Sequence, residues 1–229
     1  MGLELYAKIE QYLDFKDEVA YLHDTFCDIV SEINPKSLLD IGCGQGDFLA
    51  KLDTNIKTLG IDLSHTQVNI AKEKGLDVKA VPLSQIDEKF DMQTAVFDVI
   101  NYIPKSNIES FFQECYDRLN KNGYFVFDIN TLFGFDEVAQ GAIVLDKEEM
   151  FISIDAYFDK DILKTYITAF SKVNNDLYTK EQDTITQYYH TKEFMKKTLK
   201  KVGFKIEQIL EFKLHGYDKA DKNIYICCK

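Results

Sequence analysis

Apolar residues recur at three- and four-residue steps from about Leu3 to Ile33, with Tyr12, Phe15, Val19, Leu22, Phe26 and Ile29 on one stripe. That spacing predicts two helices packed on a core, stopped at Asn34-Pro35. From Ser37 the pattern changes. Short apolar runs at Ser37 to Ile41, Thr58 to Asp62, Asp77 to Val81, Met92 to Phe97 and Tyr124 to Asn130 predict strands. Between them, helical patterns cover about Gly46 to Leu52, Ser64 to Lys74 (ended by Gly75) and Ser106 to Asn120. Strands alternating with helices imply α/β architecture and a mostly parallel sheet with right-handed crossovers. After Gly141 the period becomes two. Ile143 to Phe158, Ile162 to Val173 and Leu177 to Tyr189 read as an inserted antiparallel sheet, with turns at Asp159-Lys160-Asp161 and Asn174-Asn175-Asp176. A helix capped by Thr191 and ended at Gly203, then strands Phe204 to Phe212 and Asn223 to Cys228, return to the first theme.

In open α/β sheets, ligands bind beyond the carboxyl ends of the strands. Asp40, Asp62, Phe97-Asp98 and Asn130 all fall at such ends. The first strand runs into Asp40-Ile41-Gly42-Cys43-Gly44-Gln45-Gly46-Asp47. Glycines there accept backbone angles that side-chained residues resist, and let a ligand approach the main chain. A dinucleotide loop would place its last glycine where Asp47 stands. About twenty residues on, Asp62 ends the second strand at the distance expected of a ribose-binding acid, and Ser64 is placed to cap the next helix.

Composition narrows the setting. The 229 residues suit one full domain with an appendage, and 45% hydrophobic residues suffice for a core. The net charge of −11 lacks the basic footprint of a nucleic-acid binder and mildly favours cationic substrates. The run Lys192, Lys196, Lys197, Lys200 and Lys201 reads as a solvated helix face. No apolar run is long enough to span a bilayer, and the start Met1-Gly2-Leu3 lacks a secretion signal. Scattered cysteines, Cys27, Cys43, Cys115, Cys227 and Cys228, without metal spacing imply a reduced, cytoplasmic protein.

The pattern Asp-x-Gly-x-Gly-x-Gly at Asp40 to Gly46 resembles motif I of class I S-adenosylmethionine (SAM) methyltransferases. Phe97-Asp98-Val99-Ile100-Asn101-Tyr102-Ile103 and Gly123-Tyr124-Phe125-Val126-Phe127-Asp128-Ile129-Asn130-Thr131 look like the small-molecule branch holding aminosugar and glycine N-methyltransferase-like enzymes. The resemblance implies a Rossmann-like, seven-stranded sheet with helices on both faces. It also implies a helical cap over residues 1–35, a SAM-dependent domain over 36–229 and an antiparallel lid over 141–190. The cofactor would be SAM, leaving S-adenosylhomocysteine. Its methionine part would lie over Gly42, Cys43 and Gly44, its amino group at Asp40 and its ribose at Asp62, with Leu63 and Phe97 flanking. Val81-Pro82 replaces the family's usual Gly-Asp, so adenine falls to main-chain groups around Leu83 and Ser84, or to Gln85.

The acceptor would be a small molecule methylated preferably at an amine nitrogen, with Asn101, Tyr102, Asn130 and Tyr188 lining its side. His190, at the end of the inserted sheet, is the first candidate for general base and Asp98 the second, although Asp98 serves equally well as a helix cap. No metal is required. Methylation of a hydroxyl or carboxylate, methylation of RNA (disfavoured by charge) and SAM binding without turnover remain alternatives, and the inserted sheet leaves a homodimer open.

Overall fold

A computed structural model describes residues 2–174 and 177–229 of the chain. Its centre is a seven-stranded sheet in the order β10-β11-β5-β4-β1-β2-β3. These strands are β1 (Ser37–Ile41), β2 (Lys57–Ile61), β3 (Val78–Lys79), β4 (Phe90–Ala95), β5 (Leu119–Asn130), β10 (Lys205–Phe212) and β11 (Lys222–Cys228). Every pairing from β3 across to β5 is parallel, and β11 alone runs against its neighbours. This is the Rossmann-like arrangement expected from the alternating pattern.

Strand pleating sends successive side chains to opposite faces. Leu39 and Ile41 of β1, with Phe125, Phe127 and Ile129 of β5, meet Phe112 and Cys115 of α4 (Ile108–Asp117) and Met195 and Leu199 of α5 (Lys192–Val202). Leu38 and Val126 point the other way. They join Leu22, Phe26 and Val30 of α2 (Lys16–Ile33) and Val68 and Ala71 of α3 (His65–Glu73). Caps close the helices as expected. Ser64 Oγ accepts from Gln67 N, Thr191 Oγ1 accepts from Phe194 N, and Asn34, Gly75 and Gly203 take left-handed conformations.

Two elements depart from the sequence pattern. The helix expected over Gly46 to Leu52 is only a 3-10 turn, Leu49–Lys51. Phe48 and Leu49 are drawn into the core beneath α2, and Leu52 leaves in extended conformation before a proper helix can propagate. The run Ile143 to Phe158 is not one strand but two, β6 (Gly141–Asp146) and β7 (Met150–Asp159), folded back at Lys147, whose N–H donates to Met150 O.

With β8 (Ile162–Asn174) and β9 (Leu177–Tyr188), these strands form a separate antiparallel sheet, β6-β7-β8-β9. Lys160 and Asp161 take positive φ in the turn between β7 and β8. The second expected turn, Asn174-Asn175-Asp176, includes Asn175 and Asp176, which lie outside the described residues. The inner face of this sheet, Ile152, Ile154, Ile167, Ala169 and Ile185, packs on Leu5 and Ile9 of α1 (Leu3–Ile9) and on Leu13. Each such side chain contributes about 1.5–3 kcal/mol on burial. The N-terminal segment and the inserted sheet therefore form one roof with its own core.

Candidate cofactor and acceptor site

The glycine loop leaves β1 at the carboxyl edge of the sheet and is tied at once to β2. Gly42 N and Cys43 N both donate to Ile61 O, at 2.7 and 3.0 Å. Gly42, Gly44 and Gly46 take φ of 74°, 52° and 77°, a region L side chains seldom enter. A Cβ on Gly42 would stand 2.6 Å from Val99 Cγ2, whereas one on Gly44 would meet nothing within 4 Å. Gly44 thus offers bare backbone to open space. Its N–H donates to Asp62 Oδ2 at 2.9 Å, and Asp62 Oδ1 accepts from Ser64 N at 2.8 Å. Asp62 is fixed by main chain on both oxygens while remaining partly exposed. Cys43 is a small packing residue. Its Sγ would lie 2.7 Å from a Cβ on Gly60, and burial pushes its thiol up, away from thiolate chemistry.

Asp40 lies one strand position before the loop, 2% exposed, its Oδ1 accepting from Thr94 Oγ1 at 2.7 Å. Burial pushes its carboxyl up to about 7, against the Thr94 hydroxyl and with the help of the Asp62 charge. An open stretch of backbone, a fixed acid at ribose distance and a buried acid that gains from a nearby ammonium fit a cationic amino-acid nucleoside. Gly44→Ala tests the cradle. The left-handed alanine costs about 1–2 kcal/mol, or roughly 2–8 °C in melting temperature. Affinity for the cofactor is expected to fall about tenfold or more, because the new methyl occupies the approach to the backbone. Calorimetry showing unchanged affinity would remove the loop from the site.

Sequence reasoning named Phe97, Asp98 and Asn130 at this edge but missed Asp128 and Lys222, which bind them into one cluster. Phe97 and Asp98 both take left-handed angles, φ 67° and 51°, at the end of β4. Backbone strain of this kind costs about 1–3 kcal/mol per residue and persists only where surrounding groups enforce it. Asp128 does so, accepting from Phe97 N at 2.7 Å and Asp98 N at 3.0 Å. Lys222, brought alongside by β11, donates to Asp98 Oδ1 at 2.5 Å and to Asp128 Oδ2 and Asn130 Oδ1 at 2.9 Å each. Its Nζ also lies 5.3 Å from the Phe97 ring centroid. The only sequence hint was the odd lysine opening an apolar terminal strand.

The roof is fastened to this edge by polar ties. Gln187 Nε2 of β9 donates to Asp98 Oδ2 at 2.7 Å, and Asn101 Nδ2 donates to Tyr188 O at 2.9 Å. Glu4 accepts from His65 N at the start of α3. Glu10, in the 3-10 turn Glu10–Tyr12, accepts from Gln45 of the glycine loop and Gln67 of α3. Burial, then the charges of Glu10 and Asp98, raises the Tyr6 phenol, and Tyr102 is raised by burial, Asp98, Tyr6, Asp62 and Glu10. Both phenols pack against the apolar core of the roof.

Several expected site residues have other duties. Asn101 is fully buried, with Oδ1 accepting from Asn130 N as well as Nδ2 bonded to the roof, so it clamps sheet to roof. Asp98 has both oxygens engaged, by Lys222 and Gln187, and its side chain makes no cap bond to the Val99–Tyr102 turn. His190 is 2% exposed, with Nε2 on Ile103 O at 3.0 Å and its ring against Phe194. Burial lowers its basicity, and the charges acting on it are Lys105 and Asp161, not the cleft acids. Leu63 is exposed beside Asp62, whereas the Leu83 side chain is buried with Leu39 and Ile61, and the Ser84 carbonyl accepts from Arg118.

Residues 38–123 match the family model described as a methyltransferase domain. A protein of Geobacillus sp. (strain WCH70), named as a methyltransferase, is 23% identical over 188 residues, covering 76% of each chain. Among solved structures, an S-adenosylmethionine-dependent methyltransferase from Clostridium acetobutylicum ATCC 824 superimposes with a TM-score of 0.77 at 22% identity, over 98% of this chain and 96% of that one. The sugar N-methyltransferase KedS8 from Streptoalloteichus sp. ATCC 53650 gives 0.73 at 16% identity, over 98% and 92%. At these identities the structural likenesses establish the fold.

Proposed function

We propose that this chain is a class I S-adenosylmethionine-dependent methyltransferase, as the methyltransferase-domain match over residues 38–123 and the methyltransferase relatives support, and that it methylates an amine nitrogen of a small molecule. The observation that carries the reading is the roof. The β6–β9 sheet and α1 close the carboxyl edge through Asp98–Gln187, Asn101–Tyr188 and Glu10–Gln45. An edge so covered, carrying Glu10, Asp40, Asp62 and Asp98, suits a small cation better than a polymer. The sugar N-methyltransferase among the neighbours supports nitrogen as the acceptor atom, and the net charge of −11 argues against RNA. In this reading the 36–229 region is the catalytic domain with 141–190 as its lid; of the expected 1–35 cap only the segment through Leu13 joins the roof, while α2 packs on the sheet itself. No described helix is long and apolar enough to cross a membrane; the scattered free cysteines support the proposal of a cytoplasmic location.

Bound SAM supplies a methyl group on positive sulfur, open to in-line displacement. Asp62 would take the ribose hydroxyls, Asp40 the amino group, and Leu63 and Phe97 the flanks, with main chain near Leu83 and Ser84 for adenine. Tyr102, Asn130 and Tyr188 would border the acceptor. With Asp98 held by Lys222 and His190 buried on Ile103 O, the amine loses its proton to solvent before attack. Rate then rests on alignment in a closed cleft, which supplies about 7–11 kcal/mol in well-oriented reactions.

Asp40 gives this reading a pH signature. Its carboxyl, held up at about 7, must ionise to receive an ammonium, so binding releases a proton. Affinity for S-adenosylhomocysteine is expected to rise about tenfold between pH 6 and 8, and Asp40→Asn is expected to flatten that slope. A flat wild-type profile would detach Asp40 from the amino group. The reaction itself is tested with methyl-labelled SAM against a panel of amines, aminosugars, alcohols, carboxylic acids and RNA. Label on amines supports the proposal. Label only on oxygen or RNA, or binding without transfer to any of them, overturns it.

A further inference from the structure

The roof has two faces, and the inner one packs on α1. Residues of β7, β8 and β9 alternate between the faces, so the neighbours of buried Ile152, Ile154, Ile167, Ala169 and Ile185 point outward. The outward set is aromatic. Phe151 and Tyr157 of β7, Tyr166 and Phe170 of β8 and Tyr178 of β9 share it with Val144 of β6. Tyr157 is 63% exposed and Tyr166 48%. More than half of the large apolar side chains exposed among the described residues lie on this one sheet. Between Phe151 and Phe170 at one end and Tyr157 at the other runs a band of smaller side chains, Ser153, Thr168 and Thr184. Gln182 Nε2 donates to Thr168 Oγ1 within it, at 2.9 Å. A cavity of about 420 Å³ opens there, lined by Tyr166, Thr168, Gln182 and Thr184.

Charge and size narrow what covers this face. Its lysines, Lys164, Lys172 and Lys180, are matched by Asp146, Asp155 and Asp159, so it is neutral on a chain of net charge −11. A polyanion or a strongly charged protein finds no complement on it, whereas a second neutral, aromatic face does. Strands about 4.8 Å apart, ten to thirteen residues long in β7 to β9, give the four-stranded face a footprint of roughly 600–700 Å². A stable pair of proteins buries about 800 Å² of accessible surface per partner, and the accessible area of a rough face exceeds its footprint.

We propose that the outer face of β6–β9 is the contact surface of a homodimer, in which two copies stack their roofs about a twofold axis. Such a contact uses the same patch twice, and the projecting Tyr157 of each copy fills the cavity of the other. The proposal stands whether or not the chain transfers methyl groups. The same strands carry Gln187 and Tyr188 to the ligand edge, so pairing of the outer faces stiffens the roof that covers it.

Light scattering on the full chain during size exclusion tests this. At about 50 μM, above the micromolar dissociation constant that an interface of this size reaches at its weakest, wild type is expected at twice the 26.5 kDa of one chain. The double variant Tyr157→Lys, Tyr166→Lys is expected at the mass of one chain, with an unchanged far-ultraviolet dichroism spectrum, because it buries unpaired like charges only in the dimer. Thr168→Lys, in the cavity, is expected to weaken the dimer at least tenfold, and decides the matter independently if the double variant does not fold. A wild type at the mass of one chain overturns the proposal. So does a dimer that survives both substitutions, which would put the contact on another surface, such as the free edge of β6.

Discussion

Lys222→Met is expected to lower the free energy of unfolding by about 3–5 kcal/mol, as removal of one partner from a buried ion pair usually does. The Lys222 side chain is 3% exposed and that of Asp128 is fully buried. Burial already pushes the Asp128 carboxyl up, and the Lys222 ammonium is the main force opposing it. Without that ammonium, Asp128 protonates more readily in the folded state. The variant's deficit should therefore shrink as pH falls from 8 to 5, because a carboxyl raised in the folded state makes folding take up a proton. Wild type has no such recovery from Lys222. Mutual attraction with Asp128 and Asp98 raises that amine's pKa against the pull of burial, so it stays charged across the window. Urea unfolding at both pH values measures this. A loss under about 1 kcal/mol, or one independent of pH, would mean that the cluster is not the fastening it looks like.

Asp62→Ala is expected to cost about a hundredfold or more in SAM affinity, since two charge-assisted bonds to ribose hydroxyls are lost together. The effect on folding should be modest. Gly44 N and Ser64 N lose their acceptor; water substitutes at half-buried Gly44, while the N–H of Ser64, 1% exposed, costs about 1–3 kcal/mol. Calorimetry against thermal unfolding separates the two consequences. Unchanged affinity in a folded variant would remove Asp62 from the ribose.

The features legible in the sequence were those that backbone chemistry encodes locally. Asp40 to Gly46 announced a tight loop because only glycines fit its left-handed angles, and Ser64, Thr191, Gly75 and Gly203 marked helix ends for similar reasons. Alternation of apolar residues located the inserted sheet, but not the fold-back at Lys147, because apolar character continues on both sides of that turn. Illegible were the partnerships that exist only after the strands are ordered. Nothing near Asp98 in the chain foretold Lys222 and Gln187 on its two oxygens, or Glu10 between Gln45 and Gln67. His190 is placed by the fold rather than by its neighbours in the chain. Its position at the end of the lid suggested chemistry, and one further turn of chain took it under the Val99–Tyr102 segment.

The position of Lys222 also bears on how the molecule is made. The lysine lies 94 residues beyond Asp128 and 124 beyond Asp98. During synthesis β1 to β5 leave the ribosome first, carrying two acids and a strained turn that nothing yet neutralises. Contacts of such long sequence separation form late and at high entropic cost. The ligand-binding edge therefore takes its final shape only when β11, the one antiparallel strand, slides between β5 and β10. Until then the nascent domain presents an open β5 edge to chaperones and to other chains. Completing the sheet and arming the site are one folding event.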